Sequence, residues 1–172
     1  MYTVNNRGVC HGAHEYGNSW GGAAFVWTAL AEKYWPLQPG QQSWQRPVGM
    51  GADMKPLWAL RLNPDVPVHE RVVLISTFDR VIVKREDLLW TADCFDKFKA
   101  EFHTNPEIAC SLGSQANDMR AFATDKKVYA VCWQQTSVAE DQWWDHKRHK
   151  AYNIKTNKNH FFLFEQYPEL KP

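Results

Sequence analysis

Apolar residues recur at helical spacing in two long stretches of the chain. Between about residues 19 and 35, Trp20, Ala24, Trp27, Leu30, Ala31 and Tyr34 fall three and four apart, and Phe25 and Ala29 widen that face. This spacing predicts a well-buried helix. Pro36 stops it, because proline disfavours helical geometry in the residue before it. From about Glu86 to Phe102, Leu88, Ala92, Phe95, Phe98 and Phe102 form a second stripe, with Leu89 and Cys94 beside it. Asp87, Asp93, Asp96, Lys97, Lys99 and Glu101 take the opposite side, the pattern of an amphipathic helix laid on a core. Asn105-Pro106 ends this helix, and a short helical stretch follows around Glu107 to Leu112.

The shorter elements are read from punctuation and residue type. Tyr2 to Val4 suits a short edge strand. Residues 36–53 read as a long surface loop, and Lys55 to Leu62 as a short helix started near Pro56. Pro67 followed by His69-Glu70 resembles a helix start, so a helix is expected to about Phe78, then a strand over 80–84. After Gly113 the character turns to β. Residues 127–134 read as a strand, and Tyr152 to Lys155 and His160 to Glu165 flank a turn-prone Thr-Asn-Lys-Asn. The predicted class is α+β in one domain over 1–172. N-terminal and central amphipathic helices pack on a C-terminal antiparallel sheet that includes a hairpin at about 150–166.

Composition narrows the function classes. The chain has 172 residues, 44% hydrophobic and 14% aromatic, enough for a core without metal or disulfide staples. Its formal charge of +1 gives no global field toward nucleic acid or membrane. No apolar run approaches the ~20 residues of a membrane span, and the start lacks a signal-peptide pattern. The four cysteines are scattered, so free thiols and a cytoplasmic location are expected. Nine tryptophans suit either a core or a partner surface.

The Gly-rich loop from Arg7 to Gly22 holds the densest candidate chemistry. Asn18 or Ser19 can cap the helix that follows, and a helix N-terminus attracts anions. Arg7, Gly12, Asn18, Ser19 and Gly21 are the ligand-binding candidates there, while Cys10, His11 and His14 could act as nucleophile and base. Gly21, Gly22, Ala23 and Ala24 leave the first turn of that helix nearly bare, which suits close packing. Cys10, His11, His14 and Glu15 are ligand types for zinc. Their spacing matches no finger, however, and Lys147 and Arg148 beside His146 and His149 oppose a cation, so no metal or cofactor is expected. The run Asn18-Ser-Trp-Gly21 resembles the asparagine motif of papain-like cysteine proteases, although the chain order of cysteine and asparagine differs. Val9-Cys10-His11-Gly12 resembles the His-Gly opening of the poly(ADP-ribose) polymerase-like transferases. That resemblance implies NAD held by His11, Gly12 and Asn18, with Tyr129 and Glu165 as the later partners.

A second cluster lies near the C-terminus. Residues 146–160 carry five basic side chains (Lys147, Arg148, Lys150, Lys155, Lys158) and no acid, with Trp143, Trp144, Tyr152 and Phe161 interleaved or adjacent. Because no catalytic set completes itself, the preferred reading is a small binding protein, an inhibitor of phage or mobile-element type, docking on a macromolecule. The expected partner is a protein, met by Trp44, Trp143, Trp144, Lys147, Arg148, Lys150 and Tyr152, the residue types that dominate interface energetics. Nucleic acid is the other partner that the basic 146–160 segment suits. The rival reading is an enzyme or nucleotide-binding protein using the N-terminal loop.

Overall fold

A computed structural model of the chain describes residues 1–16, 23–49, 52–78, 80–103, 106–134 and 141–172. Two strands, β1 (Tyr2–Asn5) and β2 (Cys10–Gly12), precede helices α1 (Ala23–Tyr34), α2 (Lys55–Ala59) and α3 (Val68–Ser76). Strand β3 (Val81–Lys84) leads into α4 (Leu88–Glu101) and α5 (Pro106–Thr124), and β4 (Val128–Cys132) returns to the sheet. The short strands β5 (Trp144–Asp145), β6 (Lys150–Ala151) and β7 (Phe161–Phe162) and helix α6 (Leu163–Gln166) complete the chain.

The main sheet has the order β2-β1-β4-β3-β7. Its pairs are antiparallel except β3 with β7, which run parallel. Alternation along the strands divides the interior into two cores. Val81, Val83 and Val131 face the helical layer, while Val4, Ile82, Ala130 and Cys132 face the other side. The helical layer contributes Leu30 from α1, Val72 to Ile75 from α3, Phe95 and Phe98 from α4, and Leu112, Ala116 and Met119 from α5. Beyond β2 the C-terminal chain adds further strand-like pairing. Cys10 N donates to Tyr152 O at 2.9 Å, Ile154 N to Gly8 O at 2.8 Å, and Tyr152 N to Trp143 O at 2.8 Å. This arm folds back over the sheet, so that Trp143, Tyr152 and Ile154 cover the second face.

The α+β class, the helix-then-strand reading of 66–84 and the amphipathic helix after Glu86 match the structure. Several details differ. β1 is an interior strand, because both β2 and β4 pair with it. The sheet is mixed and drawn from the whole chain, so its C-terminal placement holds only in part. Residues 113–124 are helical: Leu112, Ala116 and Met119 keep the three-and-four spacing and are buried, and Arg120 pairs with Asp93 and Asp96 of α4 at 2.8 Å each. No hairpin forms over 150–166. The β6 strand pairs backward with β5, and Phe161–Phe162 joins β3 instead. Leu89 is 55% exposed rather than part of the buried stripe. The first-helix start, with Asn18, Ser19, Gly21 and Gly22, lies outside the described residues.

Candidate functional site

The N-terminal loop residues separate in space. Cys10 is 2% exposed and faces the second core, where it hydrogen-bonds the Cys132 thiol. Burial, and then that hydrogen bond, hold the Cys132 thiol well above its ordinary pKa. Cys10, Cys94 and Cys132 are free thiols. A buried thiol packed among Trp143 and Tyr152 is shielded from a substrate. His11 is exposed and sits 3.1 Å from the Asn5 side-chain amide. Gly12, also exposed, follows it in β2, and Arg7 projects from an exposed turn. His11 lies on β2 at one edge of the sheet, whereas Glu165 lies on α6, which follows β7 at the other edge. Glu165 pairs instead with Lys84 at 2.6 Å. Tyr129 lies on β4 and is 38% exposed. The set implied by the transferase resemblance therefore does not converge around His11.

His14 has a different setting. Its Nδ1 stands 2.6 Å from Asp118 Oδ2, and its side chain is half-exposed. A carboxylate only accepts hydrogen bonds, so His14 Nδ1 donates to Asp118. Tyr16 donates its hydroxyl to the same Asp118 oxygen, and burial followed by this bond raises the Tyr16 phenol pKa. The amino terminus donates to His14 O at 2.6 Å, tying the loop to β1. The residues after Gly113 have a β-like character that hides Asp118 in the sequence; the helical spacing of Leu112, Ala116 and Met119 is the signal that locates it.

A cluster of metal-ligand type joins α1, α3 and α4. Ligand atoms of His69, Glu70 and Glu101 lie within 4.8 Å of one another. Lys33 Nζ already sits among them, 2.6 Å from Glu70 and 2.5 Å from Glu101, and Tyr34 donates to Glu70 at 3.0 Å. Burial alone would lower the Lys33 pKa, but the bonds to Glu101 and Glu70 outweigh it and the net direction is upward. The ammonium supplies the positive charge these carboxylates need, so the cluster is a structural latch.

The C-terminal candidates divide by strand alternation. Trp143 and Tyr152 are 1% and 4% exposed, and Trp143 Nε1 donates to Trp133 O at 2.7 Å. They are core residues, outside any docking surface. Trp144 is 40% exposed, and residues 146–150 at the β5–β6 turn are all exposed. Arg148 pairs with Asp145 at 3.0 Å, whereas Lys147 and Lys150 enter no ion pair among the described residues. Trp44 is 79% exposed and stands in the connection between α1 and α2. Of the three tryptophans named for the docking surface, Trp44 and Trp144 are exposed and Trp143 is buried. Among the described residues no helix is long and apolar enough to cross a membrane. No protein family, curated protein or solved structure matches the chain.

Proposed function

We propose that the chain is a small binding protein that docks on an acidic face of a protein partner through the β5–β6 hairpin. The observation that carries this reading is the exposed run at 146–150, set beside a half-exposed Trp144 on a hairpin fixed from beneath. Trp143 and Tyr152 anchor it in the core, and Arg80 lies over both rings at 6.0 and 5.7 Å. A preformed loop loses little conformational entropy on binding. Tryptophan and arginine supply contact energy, and unpaired lysines supply charge complementarity. Blocking an acidic site on the partner, in the style of a small phage or mobile-element inhibitor, suits such a protruding tip. Free buried thiols fit a reducing compartment such as the cytoplasm.

The test compares capture from host lysate by the native chain and by a Trp144→Ala/Lys147→Glu/Lys150→Glu variant. A partner held by the native chain and lost by the variant supports the reading; equal capture by both refutes it. The His14–Asp118 pair favours the rival enzyme reading, in which His14 acts as a base. Hydrolysis of an ester or amide substrate by the native chain, abolished in His14→Ala, would establish that alternative.

A further inference from the structure

Three turns that are distant in sequence meet at one end of the second sheet face. In the first, Asn5 Oδ1 accepts from Arg7 N at 2.9 Å and Val9 N at 3.1 Å, closing a tight loop over residues 5–9. Its Gly8 has φ +83°, and a Cβ there would lie 2.9 Å from Lys155 Cγ and 3.0 Å from Asn153 Oδ1. Only glycine fits this approach, which brings Arg7 beside the turn at 153–157. Lys155 Nζ donates to Asn6 O at 3.0 Å, and Asn153 Nδ2 to Arg7 O at 3.3 Å. Asn6 Nδ2 donates in turn to Lys126 O at 3.0 Å, binding in the turn before β4.

The result is a concentration of unneutralised positive charge. Arg7, Lys126, Lys127 and Lys155 are all exposed, and none enters an ion pair among the described residues. Elsewhere Lys33, Arg71, Lys84, Arg120 and Lys171 are each matched to a carboxylate. Asp125 is the acid of this region, and its side chain already accepts from Lys127 N at 2.8 Å. The hydrogen bonds between these turns hold the four cationic residues on neighbouring segments of one surface. A single carboxylate would engage one or two of them. A phosphate group, with several charged oxygens, can engage an arginine fork and neighbouring ammonium groups together.

The geometry points to a phosphate-binding site formed by Arg7, Lys126, Lys127 and Lys155, for a phosphate carried by a free nucleotide or by a single-stranded oligonucleotide. This site lies at the opposite end of the β6 strand from the hairpin tip and stands independently of the docking reading.

Fluorescence anisotropy with labelled oligo-dT of about twenty nucleotides, and competition by ATP, inorganic phosphate and poly-glutamate, tests it. The site predicts binding at low salt, with log K against log salt falling with a slope of about −2.8 for four phosphate contacts. Arg7→Glu/Lys155→Glu should lower affinity at least tenfold and bring the slope to about −1.4 or shallower. Lys147→Glu/Lys150→Glu should leave both unchanged. Gly8→Ala, which pushes the turns apart but removes neither Arg7 nor Lys155, should weaken binding; unchanged binding would count against the site. Competition by ATP as strong as by unlabelled oligonucleotide assigns the nucleotide source, and weaker competition assigns the strand. Absence of binding by every phosphate ligand overturns the site. So do affinity unchanged in Arg7→Glu/Lys155→Glu, and poly-glutamate competing as well as the oligonucleotide, which would indicate an acidic protein surface instead. Melting curves of the variants separate lost binding from lost fold.

Discussion

Truncating Lys33 to alanine strands the Glu70 carboxylate inside the helical layer. The Glu70 side chain is 0% exposed, and its oxygens accept from Lys33 Nζ at 2.6 Å and Tyr34 OH at 3.0 Å. Without the ammonium, a buried charge keeps only one neutral hydrogen bond. Breaking a buried ion pair costs about 3–5 kcal/mol. The Lys33 side chain is 34% exposed, so water can enter the gap, and the lower end of about 3 kcal/mol applies. For a chain of this size each kcal/mol moves the melting temperature by about 2–4 °C, giving a drop of roughly 6–12 °C for Lys33→Ala. Removing both charges in Lys33→Met/Glu70→Gln should recover most of that loss, since neither group is then left unpaired. Glu101→Ala, at a side chain 31% exposed, should cost under about 1 kcal/mol. Circular-dichroism melts with urea titrations measure all four proteins. A Lys33→Ala melt within about 2 °C of the native chain would refute the latch, as would a double variant no more stable than the single one.

Stability should fall on both pH limbs. Burial raises the Glu101 pKa, but hydrogen bonds from Lys33 and His69 outweigh it and the net is below 4.5. Its contribution is present above that value and lost as acid protonates the folded carboxylate. Burial and bonded carboxylates push Tyr2 and Tyr34 from 10.0 up to about 12. The folded state then holds these protons more tightly, so stability should decline between pH 10 and about 12; pH-dependent urea midpoints read both limbs. Trp143→Ala should cost about 3–5 kcal/mol through the cavity it leaves, and Trp144→Ala about 0.5 kcal/mol or less. Comparable urea midpoints for the two would contradict the in-and-out assignment. In a Cys110→Ser background, Cys10, Cys94 and Cys132 should resist a thiol reagent at pH 8 until urea is added. Burial pushes the Cys94 thiol up to about 12, and rapid labelling of the native chain would show that the cores are open.

Most of the elements are legible in the order of residues alone. Leu88, Ala92, Phe95 and Phe98 declare a helix because their spacing returns apolar side chains to one face. Pro36 and Asn63-Pro64 mark helix ends because proline restricts its preceding residue and cannot donate. The second half of α5 was hidden: Gly113, Ser114 and Gln115 interrupt the pattern, and its apolar face shows only once it lies on α4. Which distant pieces meet is settled by the packing of the folded chain. Neighbouring Trp143 and Trp144 look equivalent in sequence, and the folding-back of the arm over Val4 and Ile82 sends one inward and leaves the other out. His14 finds Asp118, and Lys155 reaches Asn6 across 149 positions. Periodicity is a local property of the chain, whereas these pairings follow from which faces must be buried together.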